Sequence, residues 1–299
     1  MNDWLRPPLL KRDDRIRLIA PSGPFDRALF EAGAELLRTR YRVEFDPSVF
    51  DRSGFLAGDD LRRSDELNHA LTDSSCRAVI AARGGYGATR ILPAIRVDEL
   101  QSTPRWLIGF SDITALHALA ANARVASIHG PMVASLGREP AAFEPLVSLL
   151  ETGRVTALDA LQPLRPGEAQ GRLLGGNLAV LTSLLGTPFF PDLTGAILLL
   201  EDVGESPYRV DRLLTSLRLA GVFDRIVGLV FGEFVRCRPG PDETTVEVVL
   251  ERACSSLTIP VATNLPVGHG DRNVPLPLGT EAKLVAGATE ATLSFVSTG

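Results

Sequence analysis

The segment Gly109-Phe110-Ser111-Asp112 has the residue types and the spacing that a serine nucleophile requires. An apolar run, residues 106–108, precedes it and a helical pattern from Ile113 to Ala121 follows, which places Ser111 at a predicted strand-to-helix turn. Such a turn exposes the hydroxyl at the end of a sheet, with backbone N–H groups of the opening helix nearby. Serine before aspartate is also an ordinary N-cap and first-turn pair, and this motif alone favours that capping interpretation.

A serine nucleophile needs a base, and the candidates are the four histidines of the chain. His69 falls in a predicted exposed helix, and His117 lies on the predicted helix after Ser111, where a buried structural role is favoured. His129 ends a predicted strand, and it could equally well line a site or hold the strand end. His269 lies between two glycines, which leaves the imidazole exposed, although a loop histidine is slightly favoured over a base.

An acid that could orient such a base is Glu201, which follows the apolar run Ala196–Leu200 at the end of a predicted buried strand. A carboxylate in that position is costly unless it is paired or hydrogen-bonded. An imidazole N–H would supply the partner. The alternative is a charge pair with Arg209 or Arg212, and the residues alone slightly favour that alternative.

A glycine-rich loop, Arg83-Gly84-Gly85-Tyr86-Gly87, follows another predicted strand. It contains neither the G-x-x-x-x-G-K-S/T nor the G-x-G-x-x-G pattern of phosphate-binding loops. A loop that substrate approaches closely, or one that contributes to an oxyanion hole, fits better. A simple tight turn is the alternative.

The composition excludes several classes of protein. The 299 residues allow one large or two medium domains, and a net charge of −5 without a long basic run favours neither nucleic acid nor an anionic membrane surface. Three widely spaced cysteines suggest neither a disulfide framework nor a zinc site. The first 17 residues lack a signal-peptide core and no apolar run could span a bilayer, so we expect a cytoplasmic protein.

Short apolar strands alternate with helices in the first half of the chain. The predicted strands are residues 16–20, 43–45, 78–82, 106–108 and 125–128. This alternation predicts a parallel sheet covered on both faces, with the candidate loops at the carboxyl ends of its strands. Residues 1–155 are therefore assigned to an N-terminal domain and residues 170–299 to a C-terminal domain. A linker at about 156–169 has prolines, a glycine and no clean periodicity.

Taken together, these segments resemble the LD-carboxypeptidases of bacterial cell-wall recycling, a serine peptidase family that includes the microcin C self-immunity peptidase. The matching segments run through almost the whole chain in order. They are Ile19–Ser22, Arg83–Arg90, Ile108–Thr114, His129–Met132, Gly175–Leu178, Leu200–Val203, Tyr208–Arg212 and Leu265–Gly270. Their joint presence is highly specific, although no single segment is decisive.

The resemblance implies a Ser–Glu–His triad, with Ser111 as nucleophile, Glu201 as acid and His269 as base. It implies an oxyanion hole of backbone N–H groups, from Asp112 and most plausibly Gly85. It also implies a flavodoxin-like or Rossmann-like α/β domain that carries the serine, a C-terminal β-rich swivelling α/β domain that carries the other two residues, a site between them, and a homodimer. No metal or organic cofactor is implied.

A carboxypeptidase must also bind a free carboxylate, for which the candidates are Arg83, beside Gly84 and Tyr86, and the positive end of the predicted helix after Ser111. Glu205 could meet an ammonium group of the substrate. A salt bridge that fixes the loop is an equal alternative for Arg83, and exposed surface is at least an equal one for Glu205.

The function that follows from the resemblance is hydrolysis of the L,D bond that releases the terminal D-alanine from murein tetrapeptides. An alternative is cleavage of microcin C-like peptidyl or aminoacyl nucleotides. The chain has two tryptophans, Trp4 and Trp106, and Trp106 is predicted to be core, so an aromatic platform for a base is not evident. A third hypothesis is a non-catalytic protein that closes on a small ligand.

Overall fold

The computed structural model describes residues 4–155, 158–159 and 161–295, and the chain divides into two compact units. Unit 1 comprises Met1–Val155 together with Val274–Gly279, and unit 2 comprises Thr156–Asn273 together with Thr280–Gly299. The return of residues 274–279 to unit 1 was not predicted. It depends on a strand pairing between residues almost 150 positions apart, which local sequence patterns do not reveal.

Unit 1 is built on a six-stranded sheet. Its strands are Arg15–Ile19 (β1), Arg42–Glu44 (β2), Cys76–Ala81 (β3), Trp106–Gly109 (β4), Ser127–His129 (β5) and Leu276–Leu278 (β11). Their order in the sheet is β11-β5-β4-β3-β1-β2. Strands β1 to β5 pair in parallel, and β11 pairs antiparallel with β5. The parallel sheet predicted from strand–helix alternation is confirmed.

The helices of unit 1 connect these strands and bury their apolar faces. They are Arg27–Arg38 (α1), Asp60–Thr72 (α2), Ala88–Ile91 (α3), Val97–Ser102 (α4), Thr114–Asn122 (α5), Val133–Arg138 (α6) and Phe143–Thr152 (α7). Helix α1 begins where the side chain of Asp26 accepts a hydrogen bond from the N–H of Leu29, as its capping residue type predicts. Phe30, Ala34 and Leu37 lie on its buried face.

Unit 2 contains a seven-stranded sheet. Its strands are Gln162–Arg165 (β6), Gly167–Asn177 (β7), Ile197–Val203 (β8), Gly228–Val235 (β9), Val261–Thr263 (β10), Glu281–Ala286 (β12) and Ala291–Phe295 (β13). Their order in the sheet is β13-β12-β7-β8-β9-β10-β6. Strands β7 to β10 are parallel, whereas β6, β12 and β13 pair antiparallel. The helices are Leu178–Ser183 (α8), Pro207–Leu219 (α9) and Val246–Cys254 (α10).

The predicted α/β fold with a second, β-rich domain is confirmed by this architecture. Of the segment assigned to a linker, 156–169, residues 156, 157 and 160 lie outside the described residues, and the rest includes β6 and the first residues of β7. Pro163 and Pro166 suggested a linker there, but β6 is an edge strand, where proline is tolerated. No helix within residues 4–155, 158–159 and 161–295 is long and apolar enough to cross a membrane.

Candidate active site

Ser111 lies at a strained turn directly after β4. Its φ angle is 64°, in the left-handed region that residues other than glycine rarely occupy. A 3₁₀ turn of Ser111–Ile113 leads into α5, and Phe110 occupies the N-cap position. None of the described residues caps this turn through its side chain. The capping interpretation is therefore wrong, and the hydroxyl is held on a sharp turn of the kind that presents a nucleophile.

The glycine-rich loop contacts this serine. A β-carbon built on Gly84 would lie 3.2 Å from Ser111 Oγ and 3.3 Å from the backbone nitrogen of Asp112. Both distances are tighter than ordinary van der Waals contact, so a glycine lets the loop backbone approach the hydroxyl. Gly85 follows with a φ of 109°, a conformation that favours glycine. The loop is thus more than a tight turn, because it forms one wall around Ser111.

Asp112 ties the serine turn to the same loop. It is 2% exposed, and its Oδ2 accepts a hydrogen bond from the N–H of Ala88 at 2.8 Å. Burial raises the pKa of Asp112, against the hydrogen bond from the N–H of Ala88, which favours the charged form. The carboxylate therefore fixes the loop that follows β3 relative to the turn that follows β4.

Two further loop side chains are exposed. Arg83 donates from Nη1 to the carbonyl oxygen of Pro24 at 3.0 Å, so a hydrogen bond to backbone takes the place of the predicted alternative, a salt bridge. Tyr86 is 49% exposed, and the centroid of its ring lies 5.7 Å from that of Phe55. Both side chains therefore lie at the surface of the same loop whose backbone contacts Ser111.

In unit 2, the structure brings Glu201 and His269 together. Glu201 is in β8 and 0% exposed, and its Oε2 lies 2.8 Å from Nδ1 of His269. A carboxylate accepts hydrogen bonds, so this contact favours the imidazole tautomer with the proton on Nδ1 and the lone pair on Nε2. This is the tautomer and orientation that a general base requires.

The alternative charge pair of Glu201 with an arginine is wrong. Arg209 instead pairs with Glu205 at 2.7 Å, one turn apart at the start of α9. The guanidinium carbon of Arg212 lies 5.4 Å from the centre of the Tyr208 ring. Glu205, the candidate partner for a substrate ammonium group, is thus already in an ion pair.

The glycines beside His269 explain how its loop approaches β8 and β9. Gly268 has a φ of 118°, and a β-carbon there would lie 2.7 Å from Oε2 of Glu201. A β-carbon on Gly270 would lie 1.2 Å from Oε2 of Glu233. A side chain at Gly268 would displace the fully buried Glu201 carboxylate and strain a positive φ, so close packing favours glycine there, whereas at Gly270 the end of the partly exposed Glu233 side chain could move aside.

Glu233 is an acid beside this pair that the sequence analysis did not identify. It lies in β9, and burial raises its pKa, with the charges of Asp271 and Glu201 acting in the same direction. The signal that singled out Glu201 was present here also, because Glu233 follows the buried residues Gly228–Gly232.

The other three histidines are His117, His129 and His69, and two of them are buried. His117 is buried, with Nε2 2.9 Å from the carbonyl oxygen of Gly109 and Nδ1 2.9 Å from Ser127 Oγ, and burial lowers its pKa to about 4. The predicted buried role of His117 is confirmed. His129 is fully buried in β5, and His69 is exposed on α2 as predicted.

The predicted site residues therefore form two groups. Ser111, Asp112 and the loop from Arg83 to Tyr86 belong to unit 1. Glu201, Glu205 and His269 belong to unit 2. Each group is organised by contacts within its own unit.

Comparison with known proteins identifies the chain. Residues 16–130 match the family model described as the LD-carboxypeptidase N-terminal domain, and residues 170–284 match that of the C-terminal domain. The chain is 33% identical over 288 residues to the murein tetrapeptide carboxypeptidase of Pseudomonas aeruginosa, covering 91% of this chain and 93% of that protein.

Solved structures show the same fold. The muramoyltetrapeptide carboxypeptidase from Oxalobacter formigenes is 31% identical with a TM-score of 0.86, covering 95% of this chain and 99% of that one. The microcin C7 self immunity protein MccF has a TM-score of 0.86 at 21% identity, covering 99% of this chain and 100% of that one, a likeness of fold alone.

These matches define a carboxypeptidase with a two-domain α/β fold. The chain belongs to the LD-carboxypeptidase family. The hypothesis of a non-catalytic binding protein is accordingly wrong.

Proposed function

We propose that this protein is a serine carboxypeptidase that cleaves the L,D bond releasing the terminal D-alanine from murein tetrapeptides, in peptidoglycan recycling. The observation that carries the proposal is the buried Glu201 carboxylate on Nδ1 of His269, at 2.8 Å. The strained turn at Ser111, with a φ of 64°, supports the serine as nucleophile. The substrate is proposed because the Pseudomonas and Oxalobacter relatives carry that name at over 30% identity.

In the proposed reaction, Nε2 of His269 accepts the proton of Ser111 as Oγ attacks the carbonyl carbon of the scissile bond. Glu201 holds the imidazole in the required tautomer and stabilises the imidazolium that forms. The imidazolium then protonates the nitrogen of D-alanine, which leaves. Water hydrolyses the ester on Ser111 by the same proton transfers in reverse order, and the tripeptide is released.

The tetrahedral oxyanion is proposed to accept hydrogen bonds from the backbone N–H groups of Asp112 and Gly85. The close approach of Gly84 to Ser111 Oγ and to the Asp112 nitrogen supports this assignment. Donors of this kind contribute about 3 kcal/mol each to the stability of the transition state in comparable hydrolases.

Arg83 is proposed to bind the free carboxylate of the terminal D-alanine, with the backbone of Gly84 and the ring of Tyr86 lining the same loop. Its guanidinium is exposed and uses Nη1 for the Pro24 carbonyl. A guanidinium has five N–H donors, so hydrogen bonds to a substrate carboxylate remain possible. Glu205 is proposed to meet a substrate ammonium group, and it would share its carboxylate with Arg209, which pairs with Oε2.

A labelling experiment tests the nucleophile and the substrate together. Incubation with a fluorophosphonate should modify Ser111, located by mass spectrometry of peptides, and prior incubation with murein tetrapeptide should slow the labelling. An aminoacyl sulfamoyl adenylate should not protect. Labelling elsewhere, or protection only by the nucleotide, would contradict the proposal and, in the second case, favour the immunity-type hydrolase. The homodimer remains a prediction from the resemblance, and cytoplasmic location remains a prediction from the sequence pattern.

A further inference from the structure

Arg63 is a fully buried arginine on α2, with an exposure of 0%. A buried guanidinium is costly unless hydrogen bonds and an opposite charge compensate for lost hydration. Arg63 has both, because Nη2 forms an ion pair with Asp60, and Nη1 donates to two backbone carbonyl oxygens. The positions of those two carbonyl oxygens in the chain connect Arg63 to the candidate active site.

The first carbonyl belongs to Pro21, in the loop that follows β1, and the second to Gly87, in the glycine-rich loop, at 2.8 Å. A single nitrogen thus joins the carboxyl ends of two neighbouring strands. The contact with Gly87 is close, since a β-carbon there would lie 2.6 Å from Nη1. Gly87 also has a φ of 130°, so the loop conformation and the guanidinium fit each other only with glycine at this position.

The connection continues from Gly87 to Ser111. The next residue, Ala88, donates its N–H to the carboxylate of Asp112, which adjoins the serine. At the other end of the loop, Gly84 lies against Ser111 Oγ. The segment Gly84–Ala88 is therefore held by the serine turn at both ends and by Arg63 at its carboxyl end.

Asp60 anchors the guanidinium in turn. Its Oδ2 lies 2.6 Å from Nη2 of Arg90, on α3 directly after the loop. Asp60 therefore bridges Arg63 and Arg90, and the start of α2 is fixed to the helix that the glycine-rich loop enters.

We infer that Arg63 is a positioning residue that holds the glycine-rich loop in place, so that its backbone donors stay aligned with Ser111. This inference rests on the proposed function, in which Ser111 is the nucleophile and Gly85 an oxyanion donor. A lysine could not replace it, because one ammonium group lacks the planar fork that bonds Asp60 and two carbonyls at once. The effect should appear mainly in kcat, since oxyanion donors act on the transition state more than on bound substrate.

Arg105 provides a matched control. It is also fully buried, at 1% exposure, and Nη1 donates to the carbonyls of Ala70 and Asp73 at 2.7 and 2.6 Å. It precedes β4, whereas Ser111 follows that strand, so it stabilises the opposite end of the sheet. Loss of either arginine removes a buried cation and its hydrogen bonds to backbone, and only Arg63 contacts the candidate site.

The test compares Arg63→Lys, Arg63→Ala and Arg105→Ala in the full chain, at a temperature where circular dichroism shows each variant folded. For release of D-alanine from the tetrapeptide, we expect kcat to fall about 100-fold in both Arg63 variants, with KM changed less than kcat. The Arg105 variant should keep kcat within about threefold of wild type despite a comparable loss of thermal stability. A low, non-denaturing concentration of guanidinium should partly restore kcat in Arg63→Ala, because it can occupy the space of the missing side chain. A compound that only stabilises the fold should not restore kcat.

Equal losses of kcat in the Arg63 and Arg105 variants would overturn the inference, as would an unchanged kcat in Arg63→Lys. If Arg63→Ala does not fold, Arg63→Lys and the labelling rate of Ser111 by fluorophosphonate decide the question. Full activity in Ser111→Ala would instead contradict the proposed function, so the two failures are distinguishable.

Discussion

Oε2 of Glu201 and Nδ1 of His269 lie 2.8 Å apart, although 68 positions separate the two residues in the chain. The carboxylate is fully buried and the imidazole partly exposed, so the pair has one end in the core of unit 2 and the other toward its surface. Gly268 makes the approach possible, because any side chain there would collide with the carboxylate. A buried acid that orients an exposed imidazole is the arrangement that general-base catalysis requires.

Replacement of Glu201 by glutamine should lower kcat for D-alanine release by about 10³- to 10⁴-fold, because the amide can donate to Nδ1 and so favour the wrong imidazole tautomer. The KM should change little. Steady-state kinetics measure both. Glu168→Gln is the matched control, since Glu168 is an exposed acid of unit 2 that pairs with Lys283 at 2.9 Å, and it should behave as wild type. A Glu201→Gln enzyme with a kcat near wild type would remove Glu201 from the proposed triad.

A methyl group at Gly84 should block the reaction while leaving the fold intact. The β-carbon would lie 3.0 Å from Ser111 Cβ and 3.2 Å from Oγ, where the scissile carbonyl must approach. We expect Gly84→Ala to reduce kcat/KM by about 100-fold with a small change in Tm. Gly240→Ala is the control, since a β-carbon there would meet Asp242 Oδ1 at 3.5 Å, an ordinary contact. Normal fluorophosphonate labelling and normal turnover in Gly84→Ala would contradict the close approach.

Loss of the Arg83 guanidinium should weaken substrate binding more than it slows the chemical step. If Arg83 binds the terminal carboxylate, Arg83→Ala should raise KM for the tetrapeptide about tenfold or more, with kcat within a few-fold of wild type. Arg27→Ala serves as control, because Arg27 is an exposed arginine of unit 1 that pairs with Glu31. An unchanged KM in Arg83→Ala would contradict a role in carboxylate binding, and the role of the Arg83 side chain would then be its structural hydrogen bond to the Pro24 carbonyl.

The buried His117 makes the stability of the fold depend on pH. The folded protein holds the imidazole neutral with a pKa of about 4, whereas the unfolded chain binds a proton below about pH 6.5. The unfolded state therefore binds more protons between these values, and the free energy of unfolding falls as pH decreases from 6.5 toward 4. Between pH 7 and pH 5, this one residue should account for a decrease of about 2 kcal/mol.

Urea unfolding of wild type and of His117→Gln at pH 7 and pH 5 isolates that contribution. Glutamine can donate a hydrogen bond to the same Gly109 carbonyl and does not titrate. The free energy of unfolding of His117→Gln should therefore decrease less between pH 7 and pH 5 than that of wild type. Equal decreases in the two proteins would show that the imidazole takes up a proton in the folded state.

The sequence predicted the elements of this fold better than their long-range pairing. The strands at Ile16, Val79 and Leu107 were evident because each is a short apolar run within an alternation of strands and helices. Strand β11 was not, since Leu276–Leu278 contains a proline and pairs with β5 across about half of the chain. Strand β6 was missed for a similar reason, because its prolines are typical of a linker as well as of a sheet edge.

Within the candidate site, residue types at strand ends identified Ser111 and Glu201, but not how each is held. The φ angle of Ser111 and the contact between Gly84 and its hydroxyl depend on packing between loops of different strands. The residues alone slightly favoured an arginine as the partner of Glu201, because a nearby arginine and a distant histidine can each compensate a buried carboxylate. Arg63 lies in the charged sequence Asp59–Arg63, which gave no sign that one of its arginines is fully buried.

The central claim, that Ser111 is the nucleophile of a peptidase that releases D-alanine, is tested most directly by the turnover of Ser111→Ala. The measurement is D-alanine released from murein tetrapeptide, with wild type in parallel and circular dichroism to show that both are folded. Wild type should release D-alanine, and the variant should be slower by on the order of 10⁴- to 10⁶-fold. Turnover retained in the variant, or no release by wild type, would contradict the account.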